Sequence, residues 1–263
     1  MQDWKSIRAL IMDMDGVLWL QDHPIGDLPA LFEKIKQRGL KAALVTNNAS
    51  RSIDYYLEKL RSFNVELQAW QVISSGQALV DQLQRNHPHC QRLYVIGEQG
   101  LTKLLVTEGY QIVNEDAHAV IVSLDRELTY EKLSLANRQV RQGALLVATN
   151  FDPTIPTPHG LEPGAGAILA AVEAATGVRA TIAGKPNPQA YRLAMERLGV
   201  SPAEVLVIGD RLETDIAGAQ SLGLRTALVL SGVTSAEVAR QWEPAPDLIT
   251  QDLSQVLEII TRE

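Results

Sequence analysis

The sequence predicts an α/β protein built on parallel β-sheets. Short runs rich in Val, Ile and Leu alternate along the 263 residues with longer amphipathic stretches, which is the pattern of parallel strands joined by crossover helices. The number of such runs exceeds what one small sheet usually holds. We therefore expect two sheets, the second within the middle of the chain.

Each predicted strand is a short apolar run that enters polar or turn-forming residues. The candidates are Ala9 to Met12, Ala42 to Val45, Gln71 to Ile73, Leu93 to Ile96, Ala119 to Val122, Leu145 to Ala148, Thr181 to Ala183, Val205 to Ile208 and Thr226 to Leu230.

Helices are predicted where apolar residues recur at helical spacing. Between Leu28 and Arg38 they stand at 28, 31, 32 and 35, and Gly39 is a suitable stop. The segment from Pro188 to Leu198 has the same character, and Ser201-Pro202 begins a further short helical turn. Gly164-Ala165-Gly166 is superficially similar to a dinucleotide-binding fingerprint. The third glycine is missing and no strand is predicted directly before it, so we assign it to the start of a helix from Ala165 to Ala175.

The composition argues against several classes of partner. The net charge of -7 and the pI near 5.3 lack the excess of Lys and Arg that nucleic acid or an anionic membrane requires. No apolar run approaches the roughly 20 residues that span a bilayer, and the first residues lack the pattern of a signal peptide. Cys90 is the only cysteine, so no intramolecular disulfide can form. We expect a cytoplasmic protein with no nucleic-acid and no membrane partner.

Two carboxylates follow the first predicted strand, in Asp13-Met14-Asp15-Gly16-Val17-Leu18. Alternate residues of an extended segment point to the same side, so Asp13 and Asp15 could face one crevice. In open α/β sheets, ligands bind at the carboxyl ends of the strands. On its own, Asp-x-Asp-Gly is as typical of an ordinary turn as of a ligand-binding motif.

Polar groups also follow two other predicted strands. The first of these groups is Thr46-Asn47-Asn48-Ala49-Ser50, which could cap a helix or donate hydrogen bonds to phosphate oxygens. We assign Ser50 to the helix cap, and Thr46 and Asn47 to the binding of phosphate. Gly184-Lys185-Pro186 precedes a helix. An isolated lysine is usually a solvated charge, but here glycine and proline fix the backbone on both sides, which suits a lysine aimed at one point.

The strand at Val205 to Ile208 runs into Gly209-Asp210-Arg211-Leu212-Glu213-Thr214-Asp215-Ile216. Three acidic groups directly after a buried strand are costly to crowd together unless a cation offsets their charge. Mg²⁺, which prefers carboxylate and water oxygens, is the natural candidate.

Taken in this order, each after a strand, the four motifs resemble the signature motifs of the haloacid dehalogenase superfamily of aspartyl phosphotransferases. The likeness is strongest to the NagD-like branch, which includes para-nitrophenylphosphatases, phosphoglycolate phosphatases and pyridoxal phosphatases. It rests on Asp-x-Asp-Gly-Val-Leu, Thr-Asn-Asn, Gly-Lys-Pro and Gly-Asp-Arg-x-x-Thr-Asp-Ile, and on the stretch from Thr149-Asn150-Phe151-Asp152 to Pro163-Gly164-Ala165-Gly166. It covers nearly the whole chain.

The resemblance implies a Rossmann-like, doubly wound parallel-sheet core formed by residues 1–77 and 181–263. Residues 78–180 would be an inserted, smaller α/β cap domain that covers the site and carries substrate specificity. Within the cap, Asn150, Asp152 and the loop to His159 could reach the leaving group, although a strand-end turn rich in Pro and Asp could equally be only a turn. Asp125-Arg126 is a weaker candidate. Homodimers are common in this branch, so a homodimer is compatible with the resemblance.

The resemblance also implies roles for individual residues. Asp13 would attack phosphorus and form an aspartyl phosphate, and Asp15 would protonate the leaving oxygen and later activate water. Mg²⁺ would be bound by the Asp13 carboxylate, the Asp15 backbone carbonyl and the Asp210 carboxylate, with Asp215 in support. The residues expected to contact the substrate or its phosphate are Asp15, Thr46, Asn47, Asn48, Asn150, Lys185 and Arg211.

The implied reaction is hydrolysis of a small phosphate monoester of the sugar phosphate, nucleotide, phosphoglycolate, pyridoxal phosphate or para-nitrophenyl phosphate type. A phosphomutase on the same core is an alternative, but mutases of the superfamily usually carry a helical cap soon after the first motif. Here only about a dozen residues separate Leu18 from the helix near Ala30. A non-catalytic binding protein would tolerate the loss of a motif residue, and none is lost.

Overall fold

The structure is a computed structural model that describes residues 4–157 and 160–262. Contacts within the chain divide it into two compact units. The first comprises the chain up to Thr46, Ile53–Ile73 and the chain from Ala190 onward, and the second comprises Asn47–Ser52 and Ser74–Gln189. The role of residues 78–180 as a specificity cap remains a prediction.

The strands are short, and those in the middle of the two main sheets are apolar and buried. In the described residues they are β1 (Ala9–Met12), β2 (Trp19–Leu20), β3 (His23–Pro24), β4 (Lys41–Thr46), β5 (Val72–Ser74), β6 (Arg92–Ile96), β7 (Gln111–Ile112), β8 (Ala119–Val122), β9 (Leu145–Ala148), β10 (Thr154–Thr157), β11 (Gly160–Pro163), β12 (Thr181–Ile182), β13 (Val205–Gly209), β14 (Arg225–Val229) and β15 (Leu248–Thr250).

The helices alternate with these strands along the chain. They are α1 (Leu28–Gln37), α2 (Ile53–Ser62), α3 (Ser75–Asn86), α4 (Gln99–Thr107), α5 (Tyr130–Arg141), α6 (Ala165–Thr176), α7 (Gln189–Leu198), α8 (Ala217–Gln220), α9 (Ala236–Gln241) and α10 (Leu253–Ile260). Short 3₁₀ turns lie at Ala69–Gln71 and Pro202–Glu204, and one π-helical turn lies at Leu212–Ile216. Among the described helices, none combines the length and the apolar character needed to cross a bilayer.

The first unit is built on a six-stranded sheet of order β15-β14-β13-β1-β4-β5. All four residues of β1 are buried, as expected of a central parallel strand whose two faces are covered. Its neighbours β4 and β13 run parallel to it, and Met12 is level with Leu44 and Ile208. The three strands therefore end together at one edge of the sheet.

The second unit contains a five-stranded parallel sheet of order β12-β9-β8-β6-β7. Along β8, Ala119 and Ile121 belong to one buried cluster, and Val120 and Val122 belong to another. Successive residues of a strand point to opposite faces, so the two clusters are the cores on the two faces of this sheet. This explains why β8 is apolar throughout.

The α/β class and the presence of two main sheets are confirmed, and each predicted strand and helix is present with ends within about one residue. The strands missed are very short or contain proline, which is unfavourable inside sheets. Four of the missed strands form two antiparallel ribbons, in which β2 pairs with β3 and β10 pairs with β11.

The prediction that no strand precedes Gly164 was wrong, because β11 ends at Pro163. The predicted helix does begin at Ala165. A Cβ atom on Gly164 would run into the carbonyl oxygen of Asp152, and one on Gly166 would run into that of Phe151. Close backbone packing accounts for these two glycines, and no nucleotide site is needed to explain them.

Candidate active site

Three aspartates of the first unit come together beyond the ends of β1 and β13. One carboxylate oxygen from each of Asp13, Asp210 and Asp215 lies within 4.8 Å of the others. The backbone N–H of Asp13 donates to the carbonyl oxygen of Ile208 at 2.9 Å, which continues the pairing one residue past β1. The order of the sheet reverses between β1 and β13, and ligands of open α/β sheets bind at such a point.

The chain after β13 fixes two of these carboxylates with its own backbone. Asp215 Oδ2 accepts hydrogen bonds from the N–H groups of Asp210 at 3.2 Å and Arg211 at 3.1 Å. Asp210 Oδ2 accepts one from the N–H of Val233 at 2.7 Å. Both aspartates are about 1% exposed, and the π-helical turn brings Asp215 back under the strand end. Arg211 is half-buried and contributes its backbone N–H to this arrangement.

The residues present fit a hard divalent cation. Close carboxylates repel one another unless positive charge offsets them, and three carboxylates form an oxygen-only donor set of the kind that Mg²⁺ prefers. The surrounding backbone is packed tightly against two of them. A Cβ atom on Gly232 would run into the carboxylate of Asp210, and one on Gly209 would run into the side chain of Asp215. Glu213, the other acidic residue that follows β13, is exposed and lies outside this cluster, whereas Asp13, Asp210 and Asp215, each predicted to hold Mg²⁺, lie together.

Asp15 lies beyond the end of β1, at the start of a turn, where it forms an isolated β-bridge with Trp19. Because β1 ends at Met12, regular strand alternation stops before Asp13, and the expectation that Asp13 and Asp15 face one crevice stays a prediction. The turn requires glycine at position 16, where φ is +88°. The carbonyl oxygen of Gly16 accepts a hydrogen bond from the Ser231 hydroxyl at 2.6 Å. Asp15 itself is exposed, and its Oδ1 accepts a hydrogen bond from the indole Nε1 of Trp19 at 2.9 Å.

Thr46 ends β4 and is buried, and its side chain is hydrogen-bonded to that of Tyr56. Tyr56 lies on α2 and is only 3% exposed. Burial raises the pKa of Tyr56, and the negative charges of Asp15 and then Asp13 raise it further. No sequence pattern singles out Tyr56, because an aromatic residue on the apolar face of a helix is usually part of the core.

In the second unit, Asn47 is the centre of a hydrogen-bonded group. Its Nδ2 donates to the carbonyl oxygen of Lys185 at 3.1 Å and to Asp152 Oδ2 at 3.4 Å. Its own carbonyl oxygen accepts from Asn150 Nδ2 at 2.8 Å and from the Ser75 hydroxyl at 2.6 Å. Four predicted residues of this unit are thus joined, and Asn150 serves to hold the backbone of Asn47. The Asn47 Oδ1 atom is buried and accepts no hydrogen bond from the residues that the structure describes.

Asn48 stabilises the loop before α2. Its Oδ1 accepts from the backbone N–H of Ser50 at 2.8 Å and from the Ser50 hydroxyl at 2.7 Å. Since α2 begins at Ile53, Ser50 lies three residues before the helix, and its assignment as the cap was wrong.

The weaker candidates Asp125 and Arg126 both have partners inside the second unit. Asp125 Oδ2 is 2.7 Å from Lys132 Nζ, and Arg126 Nη1 is 2.6 Å from Glu98 Oε1. Asp125 Oδ1 also accepts from the backbone N–H of Glu127 at 2.9 Å. These contacts stabilise the end of β8.

Comparisons with known proteins agree with the geometry. Residues 10–111 match the family described as haloacid dehalogenase-like hydrolase, and residues 182–256 match a second family described as HAD-hydrolase-like. An acid sugar phosphatase of Staphylococcus aureus is 32% identical over 96% of this chain and 98% of that protein.

Solved structures are also similar to this chain over nearly its whole length. A 4-nitrophenylphosphatase from Thermotoga maritima has a TM-score of 0.93 and 31% identity, covering 99% of this chain and 100% of that one. NagD from E. coli K-12 has a TM-score of 0.87 and 29% identity, covering 95% of this chain and 98% of that one.

Proposed function

Because this chain belongs to the haloacid dehalogenase-like hydrolases, in their NagD-like branch, and is a phosphatase, we propose that it hydrolyses small phosphate monoesters with Mg²⁺ through an aspartyl phosphate on Asp13. The observation that carries the proposal is the cluster of Asp13, Asp210 and Asp215 beyond the ends of β1 and β13. The name of the S. aureus relative favours a sugar phosphate as substrate, and that of the T. maritima relative favours 4-nitrophenyl phosphate as an assay substrate.

Burial and hydrogen bonding support Asp13 as the nucleophile. Asp210 and Asp215 are almost fully buried and accept backbone N–H groups, whereas Asp13 is half-buried. A carboxylate that attacks phosphorus must be reachable by the ester, so Asp13 is the better candidate. Mg²⁺, when bound, would be held by the Asp13 and Asp210 carboxylates and the Asp15 backbone carbonyl, with Asp215 in support, and would offset the charge between nucleophile and ester.

The proposed reaction has two steps. In the first, an Asp13 oxygen bonds to phosphorus, the bond from phosphorus to the ester oxygen breaks, and Asp15 gives a proton to that oxygen. In the second, water attacks the aspartyl phosphate, Asp15 takes a proton from the water, and phosphate leaves with the Asp13 carboxylate restored. The exposed position of Asp15 supports this role, because the proton must pass to and from groups outside the core.

Contacts to the phosphoryl oxygens are assigned by motif position. We propose Thr46, Asn47 and Lys185 for this role, since phosphoryl transfer depends mainly on positioning and on electrostatic stabilisation. Asn48, Asn150 and Arg211 complete the proposed set of substrate contacts.

The test is phosphate release from a panel of phosphomonoesters that includes 4-nitrophenyl phosphate. Wild type and Asp13→Asn are each assayed with Mg²⁺ and with EDTA, and Asp54→Asn, which alters an exposed aspartate of α2, is the control. We expect release that needs Mg²⁺, is retained in the control and falls about a thousandfold or more in Asp13→Asn. A hydroxylamine-labile phosphoprotein should form in wild type and not in Asp13→Asn. Correctly folded wild type that releases no phosphate from any ester would overturn the proposal.

A further inference from the structure

Asp15 and Trp19 are linked by a hydrogen bond across a single turn. Trp19 Nε1 lies 2.9 Å from Asp15 Oδ1. The backbone closes the same turn, because the N–H of Gly16 donates to the carbonyl oxygen of Trp19 at 2.8 Å and the N–H of Trp19 donates to that of Met14 at 3.3 Å. The donor and the acceptor are therefore held close together by the backbone between them.

The two partners differ sharply in burial. Trp19 is about 1% exposed and belongs to the main core cluster of the first unit, whereas Asp15 is exposed. Phe63 packs against the indole with ring centroids 6.0 Å apart, and Lys59 Nζ lies 4.7 Å from the ring centroid. A buried indole held by these neighbours cannot follow the carboxylate. The hydrogen bond therefore restrains Asp15.

The position of Lys59 is itself fixed. Its Nζ donates to the carbonyl oxygen of Gln21 at 2.5 Å and lies 3.5 Å from Asp22 Oδ1. A cation over an indole draws electron density from the ring, which strengthens the N–H as a hydrogen-bond donor. The donor that contacts Asp15 is thus both buried and polarised.

From these contacts we infer that Trp19 is a positioning residue, whose indole N–H holds the Asp15 carboxylate where it exchanges a proton with the leaving oxygen. The inference rests on the proposed function of Asp15. An indole N–H only donates, so Trp19 takes no part in the proton transfer itself. With Oδ1 accepting from the indole, Oδ2 is the oxygen that carries the proton. As the ester bond breaks, its electron pair stays with the leaving oxygen, which takes the proton from Oδ2.

This role predicts a dependence on the leaving group. 4-Nitrophenolate is a stable anion and leaves with little help from an acid, whereas an alkoxide needs a proton as it departs. A variant that misplaces the acid should therefore lose more activity on an alkyl phosphate than on 4-nitrophenyl phosphate. A variant that merely loosens the core should lose activity on both esters equally.

The experiment measures kcat/KM at saturating Mg²⁺ for 4-nitrophenyl phosphate and for glycerol phosphate as the alkyl ester. The variants are Trp19→Phe, which keeps an aromatic ring and removes the donor, Asp15→Asn, and Phe63→Leu as the packing control. We expect Trp19→Phe to reduce kcat/KM for the alkyl ester about tenfold more than for the aryl ester. Phe63→Leu should reduce both by the same factor.

A second form of the protein, with β-(3-benzothienyl)alanine at position 19, keeps the shape of the indole and lacks only the N–H. It tests the inference even where Trp19→Phe folds poorly, and we expect the same selective loss. The inference is overturned if this form loses activity equally on both esters and Asp15→Asn still loses more activity on the alkyl ester. If Asp15→Asn also loses both activities equally, the proposed role of Asp15 is wrong, and the inference is overturned with it.

Discussion

Gly16 lies directly against the carboxylate of Asp210. A Cβ atom on Gly16 would stand 2.5 Å from Asp210 Oδ2, and the φ of Gly16 is +88°. The turn that carries Asp15 thus approaches a predicted metal ligand so closely that no side chain fits between them. Position 16 is constrained both by backbone conformation and by space.

Gly16→Ala should weaken metal binding through this collision. Gly109 provides the control, because its φ is +90° and a Cβ atom there would meet nothing within 4 Å. We expect both alanine variants to lose about 1–2 kcal/mol in the free energy of unfolding, measured in urea, because of the left-handed backbone, and Gly16→Ala to lose more because of the collision with Asp210. Only Gly16→Ala should raise the Mg²⁺ concentration at half-maximal activity, by about tenfold, or 1.4 kcal/mol. Identical Mg²⁺ titrations for the two variants would contradict the packing argument.

Tyr56→Phe should make the protein less sensitive to alkali. The pKa of Tyr56 is raised in the folded state by burial and then by Asp15, so below about pH 10 the hydroxyl is protonated in both states. Above that pH the unfolded chain releases the proton and the folded chain keeps it, so wild type loses stability, by at most about 1.4 kcal/mol per pH unit from this group.

At pH 8, Tyr56→Phe should be less stable than wild type by about 1 kcal/mol, because the bond with Thr46 is lost. That difference should shrink between pH 10 and pH 11. Urea unfolding at the three pH values measures it. A constant difference would show that Tyr56 ionises equally readily in the folded and unfolded states.

The two ion pairs near the end of β8 should differ in their contribution to stability. Asp125 is about 3% exposed in its pair with Lys132, whereas Arg126 is about 50% exposed in its pair with Glu98. Asp125→Asn should reduce the free energy of unfolding by about 2 kcal/mol, because it weakens a buried charged hydrogen bond. Arg126→Gln should cost less than about 1 kcal/mol. Urea unfolding compares them, and equal losses would refute the assigned structural role of Asp125.

Cys90 should react slowly while the protein is folded. The thiol is about 5% exposed, and burial raises its pKa, so both access and the thiolate fraction are reduced. We expect its reaction with Ellman's reagent at pH 8 to be about a hundredfold slower in buffer than in concentrated urea. Cys90→Ser, which has no thiol, gives the background rate. Equal rates in the two solvents would show that Cys90 is accessible in the native protein.

The sequence predicted the strands and the acidic cluster because both depend on local patterns. Ala9–Met12 and Val205–Gly209 are continuous apolar runs, and Asp13 and Asp210 follow these neighbouring strands directly. Parallel strands that end at the same edge bring such residues together without further information.

Other parts of the site depend on contacts that no local pattern encodes. Asn150 bonds to the backbone of Asn47, 103 positions earlier, and this pairing follows only from the folded second unit. Trp19 and Tyr56 have the apolar character of core residues, and their polar atoms acquire partners only when side-chain directions are known. Glu213 lies outside the acidic cluster although it is close to Asp210 and Asp215 in sequence, since sequence proximity does not determine which way a turn directs each carboxylate.

The register of β1 has a consequence for how this protein tolerates genetic change. Met12 is level with both Leu44 and Ile208, so β1 is fixed by neighbours on its two sides. Conservative replacements within Ala9–Met12 alter only core volume, and Asp13 keeps its position. Insertion or deletion of a single codon there would turn every following side chain to the opposite face and carry Asp13 away from Asp210. Sequence drift by substitution is therefore compatible with activity, whereas a one-residue change of length in this strand is not.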